Sequence, residues 1–350
     1  VPAPADLIAP SSRGLSCERG GFHIDPWRPV PLAVVTHAHS DHAAGGSGEY
    51  VCTPAVAEQL RLRLGAGTPT REVAFGEAID LGRTRVTLIP AGHTLGSAQA
   101  LVEDASGERW VVTGDYKRDA DATTEAFEVA PCDVLLTEST FGLPIFRWPD
   151  PSAVAAELNA WWRANREAGR TSVVLAYALG KAQRVLGALD PSIGPIGAHG
   201  AVLPMCEAYR RFGVALPEVA HASEETAAAL KGAGLIVAPP SAMSTTWPRK
   251  FAGLEGTRVA MASGWMAIRG RRRWRAVDRG FVLSDHADWA GLVRTVRESG
   301  ARRVGVTHGY ASALARWLGE HGWESFVVPT RWEGEAAPGS GAASGERDLG

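Results

Sequence analysis

The sequence predicts an α/β protein in which a strand-rich first part gives way to regular helix–strand alternation and then resumes. Three observations carry this expectation. Short apolar or β-branched runs, separated by glycine-rich or polar turns, dominate residues 1–142. From Pro151 helical and strand patterns alternate, as in a parallel α/β unit. A third stretch of strand and helix patterns, within 270–332, follows an arginine-rich run that closes the alternating segment 143–269. The stretch 333–350 is glycine, alanine and serine with scattered charge and is expected to be a disordered tail.

The first part has strand patterns at 22–25, 31–36, 50–53, 83–90, 98–103, 109–114 and 133–138. One helix, 54–64, intervenes; Pro54 suits its first turn, where a missing N–H costs nothing. The alternating segment reads as helix 152–167, strand 171–177, helix 180–189, strand 194–198, helices 202–212 and 224–231, and strand 235–238. After the arginines come strand 280–284, helix 288–299, strand 303–307, helix 311–321 and strand 323–328. No internal repeat is visible.

With 350 residues the chain is long enough for two packed units, and a 45% hydrophobic content is ordinary for globular protein. No window approaches the ~18 consecutive apolar residues of a membrane span. The amino terminus lacks a charged leader followed by an apolar core, so a cytoplasmic protein is expected. Cys17, Cys52, Cys132 and Cys206 form no C-x-x-C pair, which argues against a disulfide framework or a thiolate zinc knot and suits small buried residues. The net charge of -2 hides a local extreme: 269–279 (RGRRRWRAVDR) holds six arginines and one aspartate, so it carries +5 and the rest of the chain -7. Such a run is either a solvated surface or an electrostatic footprint for a polyanion, and Trp274 within it either stacks on a base or anchors the segment.

The densest chemistry lies in Thr36-His37-Ala38-His39-Ser40-Asp41-His42, directly after the apolar run 31–35. In an extended segment His37 and His39 fall on one side and can share an ion. Asp41 and His42, where the chain should turn into a short helix, are placed to serve a second ion. Two more ligand-type residues sit just past strand patterns: His93 in PAGHTLGSAQ and Asp115 in VVTGDYKRD. Either alone reads as a turn residue, but beside H-x-H-x-D-H they read as further ligands.

In this order, with a late histidine, these elements resemble the metallo-β-lactamase fold family. The resemblance implies an αββα sandwich in which His37, His39 and His93 hold one metal, Asp41, His42 and a later histidine a second, and Asp115 bridges both. Asp25, in FHIDPW, matches the family's early aspartate that supports the metal loop from behind. TESTFG (137–142) looks like the acidic motif of the β-CASP branch, the nucleic-acid-cleaving members such as Artemis and the RNA 3′-end-processing and RNase J nucleases, with Glu138 as the acid. SDHAD (284–288) looks like that branch's last metal motif, which makes His286 the final ligand. The branch carries an inserted α/β domain between these motifs, matching 143–269. In detail the chain is most similar to bacterial ligase-associated DNA exonucleases, sharing FHIDPWRP through THAHSDH, TESTFG, AYALGKAQR, GW and DRGFVLSDHADW. THGY (307–310) resembles the turn that closes the family's active site, implying Thr307 and His308 as phosphate contacts or supports.

The implied activity is hydrolysis of DNA phosphodiesters, at single-stranded or end-bearing substrates, with two divalent ions, Zn²⁺ or Mn²⁺, activating a water. Asp41, Glu138 and a histidine of the insert are the expected catalytic residues. His221 (in VAHAS) suits that last role better than His199 (in GAHG), because a His-Ala pair ends a strand before a helix in Artemis-like relatives. Some relatives carry a histidine soon after the late Gly-Trp, where this chain has Met266 and Ala267. Lys181 and Arg184, at the start of a helix after a strand, are expected to grip phosphate, as are Arg269, Arg271, Arg272, Arg273 and Arg275. Family context adds an ATP-dependent DNA ligase and a helicase as partners. Two rival readings stay open: a β-CASP ribonuclease, and a hydrolase of small thioesters or lactams, which has no need of TESTFG, the insert or the arginines.

Overall fold

The computed structural model describes residues 6–245, 247, 256–268 and 277–330. Arg269, Arg271, Arg272, Arg273 and Arg275, and the tail 333–350, lie outside the described residues. The protein is an α/β fold of two compact units, one reaching Phe146 and resuming at His286, the other running from Arg147 to Asp285.

The first unit holds two sheets. One has six strands, ordered along the chain from Ala9–Ser11 to Thr70–Glu72, antiparallel at its start and parallel from Phe22–Ile24 onward. The other has seven, with Val134–Glu138 flanked in parallel by Arg109–Val112 and Arg303–Thr307. Beyond Arg109–Val112 it continues antiparallel through Ala98–Asp104 and Thr84–Pro90 to Ala78–Leu81.

Alternation decides the packing. Phe22, Ile24, Val34 and Val51 of the first sheet meet Val86, Leu88, Ala100, Val102, Trp110, Val112 and Leu136 of the second in one buried core. The alternate residues Val111, Leu135, Val304 and Val306 face the other way and pack on Leu292 and Val296 of helix Trp289–Ser299 and Leu314 and Leu318 of helix Ala311–Glu320. Helix Pro54–Leu64 contacts the outer side of the six-stranded sheet, its start capped by Thr53, whose hydroxyl accepts from the Val56 N–H. The layers therefore run helix, sheet, sheet, helix.

The second unit is one six-stranded parallel sheet, ordered Ala220–His221, Ile196–Ala198, Leu235–Ala238, Thr171–Leu175, Thr257–Ala262, Arg279–Phe281. Its central strands, Ile196–Ala198, Leu235–Ala238 and Thr171–Leu175, are buried along their whole length, as expected where a sheet is covered on both faces. Leu158 and Trp162 of helix Pro151–Glu167, Val185 and Leu186 of Lys181–Gly187, and Cys206 of Leu203–Arg211 share its core.

Several elements depart from the sequence expectation. The expected helix 224–231 shrinks to Ala227–Leu230, because Thr226 turns its hydroxyl back onto the His221 carbonyl and holds the preceding residues in a turn. Strands Ala9–Ser11, Gly14–Cys17, Thr70–Glu72, Ala78–Leu81, Ala220–His221 and Thr257–Ala262 were not anticipated. Arg279–Phe281 pairs with Thr257–Ala262, which carries the second unit beyond 269 as far as Asp285. No helix among the described residues is long and apolar enough to cross a membrane. All four cysteines are buried and free.

Candidate metal centre

Strand direction gathers the candidate residues. Val134–Glu138, Arg109–Val112 and Arg303–Thr307 run parallel, so Glu138, Asp115 and His308 emerge at one edge of the sheet. Thr84–Pro90 is separated from Arg109–Val112 by a single antiparallel strand, so it runs in the same direction and delivers His93 to that edge. Leu32–Val34 of the facing sheet supplies the 36–42 loop, tied across by the Ala98 N–H, which donates to the Thr36 carbonyl at 2.8 Å. Gly114 makes the approach possible: its φ is +55°, and a Cβ there would lie 2.4 Å from the Thr36 hydroxyl.

The 36–42 segment forms a single turn rather than the short helix expected, closed by the His42 and Ala43 N–H groups donating to the His39 carbonyl. The turn aims His37 and His39 at each other, with His37 Nε2 3.1 Å from His39 Nδ1, and His93 Nε2 lies 3.2 Å from the same His39 nitrogen. Asp115 Oδ2 sits among the rings, 3.4 Å from His42 Nε2, 3.7 Å from His37 Nε2, and 3.9 Å from both His93 Nε2 and His286 Nδ1. The ligand atoms of His37, His39, His93 and Asp115 all fall within 4.8 Å of one another, and so do those of Asp115, Glu138 and His286. Asp41 stands on the His42 side, its Oδ2 3.7 Å from His42 Nε2.

Supporting contacts fix which nitrogen each ring presents. Asp25 accepts from the Thr36 N–H at 2.8 Å and from the Thr36 hydroxyl at 2.6 Å, and pairs with His42 Nδ1 at 2.8 Å. His42 Nε2 is thereby turned inward. The Thr36 hydroxyl also lies 3.1 Å from His37 Nδ1, which leaves His37 Nε2 facing the cluster. Asp25, at φ 45°, and His308, at φ 56°, are the two non-glycine residues with positive φ among those described. Both stand at this edge, where strained backbone is commonly concentrated.

Burial sets the charges. It pushes the His37 imidazole well below its ordinary range, helped by the neighbouring His42, His93 and His39, so this ring is neutral and offers a lone pair. Burial opposes protonation of His42 too, but Asp115, Asp41 and Asp25 outweigh it and hold its pKa well above the ordinary value. Burial likewise works against ionising Asp115, yet His42 and His286 keep its carboxyl well below the carboxylate range. His308 is lowered, by burial first and then by the charge of His42.

The residues fit divalent metal. His42 Nε2 and Asp115 Oδ1 are buried without a hydrogen-bond partner, an arrangement that costs free energy unless something else satisfies them. Five imidazoles and carboxylates converging without a thiolate suit a borderline-hard cation.

Glu138 and His286 also meet each other, a contact that neither motif discloses. Glu138 is almost fully buried; it accepts from the Tyr116 N–H at 2.8 Å, and its two oxygens lie 3.1 and 3.0 Å from His286 Nδ1. His308, expected only as a phosphate contact or support, stacks on His42 with ring centroids 5.2 Å apart, and its Nδ1 is buried without a partner. Nothing in the spacing of THGY signals this, because the contact forms between strands remote in sequence. Thr307 is register-paired with Glu138 at the same sheet edge.

In the second unit, Lys181 and Arg184 do not present free cations. Lys181 is 1% exposed, its Nζ 3.2 Å from Asp285 Oδ1 and 4.9 Å above the Tyr177 ring. Arg184 is also buried and reaches toward the Ser284 carbonyl, 3.5 Å away. Both cations, expected to grip phosphate, are thus drawn inward among the buried residues of Lys181–Gly187. His221 is exposed at the end of Ala220–His221, and His199 follows Ile196–Ala198, its ring 5.1 Å from that of Trp247.

No family model matches the chain. It is 31% identical over 318 residues, 91% of its length, to a "Probable DNA ligase" of Opitutus terrae, of which it spans 30%. It is 30% identical over 166 residues, 47% of its length, to "Endoribonuclease YSH1" of Eremothecium gossypii, of which that match spans 20%. The chain thus covers less than a third of either relative. A solved structure of a protein of unknown function from Enterococcus faecalis V583 superposes with a TM-score of 0.56 over 86% of this chain and 80% of that one, at 12% identity. Layer order and the buried histidine–aspartate cluster are consistent with a metallo-β-lactamase sandwich joined to a β-CASP-type α/β unit, and the chain is similar to these relatives over the spans given.

Proposed function

We propose that the protein is a metal-dependent DNA exonuclease that hydrolyses phosphodiester bonds at two divalent ions, acting in repair beside an ATP-dependent DNA ligase. The observation that carries the reading is Asp115, whose Oδ2 lies within 4 Å of four imidazoles while its Oδ1 has no partner. His37, His39 and His93 would hold one ion, Asp41, His42 and His308 the other, with Asp115 between them. Divalent ions held by these residues would lower the pKa of a water toward neutrality and offset charge on the phosphate oxygens.

The remaining chemistry falls to the chain. Attack by water on phosphorus breaks the bond to a sugar oxygen, which must leave with a proton. His286 is the donor in this reading, and Glu138, gripping its Nδ1, orients the ring. Glu138 is then a positioning residue, and the insert histidines are not needed as acids. Asp25 holds His42 in the required tautomer.

DNA is favoured by the match to a relative named as a DNA ligase, which spans most of this chain. The arginines at 269–275 supply charge for a polyanion. A ribonuclease is the second reading, favoured by the match to the fungal endoribonuclease. Digestion of DNA and RNA strands labelled at either end, with Zn²⁺ or Mn²⁺ returned to metal-stripped protein, tests both. Mononucleotide release from DNA is the expected result; internal cuts in RNA alone would favour the second reading, and no cleavage of either would sink both.

A further inference from the structure

We propose that Glu125 is a positioning residue for the first ion, holding the loop that carries His93 so that its imidazole stays aimed at His39. The proposal rests on the reading of the cluster as a metal centre. All the residues concerned lie in the first unit.

His93 stands on the 91–97 connection between Thr84–Pro90 and Ala98–Asp104, and that connection is gripped from two sides. On one side Thr53, at the cap of helix Pro54–Leu64, donates its hydroxyl to the Gly96 carbonyl at 2.7 Å. Gln59 of the same helix donates its amide to the Leu95 carbonyl at 2.9 Å. On the other side runs 113–133, which contains neither helix nor strand. Irregular runs longer than about 12–15 residues are uncommon in compact proteins and usually have a task. This one lies along the connection. The Lys117 N–H donates to the Ala91 carbonyl at 3.0 Å, the Thr124 hydroxyl to the Gly92 carbonyl at 3.3 Å, and the Glu128 N–H to the Pro90 carbonyl at 3.2 Å.

Glu125 makes the contact that reaches furthest along the loop. Its Oε2 accepts from the Gly96 N–H at 2.8 Å, across 29 positions of sequence. Gly96 is therefore held at both of its polar groups, the N–H by Glu125 and the carbonyl by Thr53. Packing cannot do this work, because Gly96 has φ +75° and a Cβ there would lie 2.6 Å from that of Ala55. The restraint passes to the ligand through Ser97, whose hydroxyl accepts from the His93 N–H at 3.0 Å and the Thr94 N–H at 3.1 Å. None of these contacts involves Asp41, His42 or His308, so the effect of Glu125 belongs to one ion.

The test is a Zn²⁺ titration of the metal-stripped full chain, followed by calorimetry, with bound zinc counted by elemental analysis. The native chain is expected to take two equivalents. Glu125→Ala should weaken one of them by about 10- to 100-fold, the usual cost of losing a residue that orients a metal ligand, and leave the other within about twofold. Glu125→Gln, whose amide oxygen still accepts from Gly96, should recover most of the loss, which a general weakening of the fold would not explain. If Glu125→Ala does not fold, Glu125→Asp, a methylene too short to reach Gly96, carries the same expectation. Native affinity for both ions in the folded variant, or equal weakening of both, overturns the proposal. A native chain that takes up no Zn²⁺ fails the metal-centre reading and Glu125 with it, whereas a variant that matches a metal-binding native chain fails Glu125 alone.

Discussion

Each unit buries charge, but in opposite ways. In the first, His42 Nε2, Asp115 Oδ1 and His308 Nδ1 are sealed from solvent with no hydrogen-bond partner. In the second, Lys181 is just as deeply buried, but its ammonium meets Asp285 at 3.2 Å and lies over the Tyr177 ring. Leaving polar groups unsatisfied costs free energy that a fold recovers only when a ligand arrives, whereas a matched pair is complete without one. The contrast is one of grouping: three such atoms stand together in the first unit, whereas Asp285 Oδ1, which also makes no hydrogen bond, faces an ammonium of opposite charge.

The sharpest way to break that contrast is Asp115→Ala. Metal retention should fall by more than the ~10- to 100-fold that loss of a supporting residue costs, and nuclease activity should disappear while circular dichroism stays native. Full activity in this variant would remove the metal assignment. Next comes His286→Ala, expected to slow cleavage by about 10²- to 10⁴-fold with metal content unchanged, as for a lost general acid. Loss of bound metal, measured by elemental analysis, would instead make His286 a ligand, as the sequence resemblance implied.

In the second unit, Lys181→Met strands a buried carboxylate and should cost about 3–5 kcal/mol in urea unfolding, with much of it recovered in a Lys181→Met, Asp285→Leu double variant. A variant of normal stability that binds DNA poorly would return Lys181 to the phosphate grip expected from its place in the sequence. The smallest effect concerns protons. Because its carboxylate neighbours hold the His42 pKa above the ordinary value, His42 is protonated near neutrality in metal-free protein, and an ion must displace that proton. Metal affinity should therefore rise with pH, by about tenfold per unit while the ring remains protonated, and calorimetry in buffers of different ionisation enthalpy should register proton release. Affinity independent of pH between 6 and 8 would contradict it.

What was legible in the sequence is local. The 36–42 heptad announces ligands because period-two spacing needs only a few residues, and helix Pro54–Leu64 is fixed by its Thr53 cap and Pro54. His93 and Asp115 could be read as strand-end residues for the same reason. Contacts across the chain could not. Glu138 and His286 are 148 positions apart, so neither motif discloses that one carboxylate grips the other's imidazole. Lys181 looks like a surface cation until Asp285 is known to face it. The short strands Ala9–Ser11 and Gly14–Cys17 lack a clean apolar alternation and exist through hairpin pairing with each other and with Phe22–Ile24. Thr257–Ala262 opens on Thr257 and Arg258, which masked an otherwise apolar strand.

The interruption of the first unit has a consequence for biosynthesis. His37, His39, His42, His93 and Asp115 all precede the second unit in the chain, while His286 and His308 follow it. A ribosome thus makes the residues proposed to hold the first ion long before it makes His308 and the candidate proton donor. On the proposed reading, a nascent chain would meet its first cation while still unable to cut, and loading with metal and gaining the power to break a strand would be separate moments in the life of the molecule.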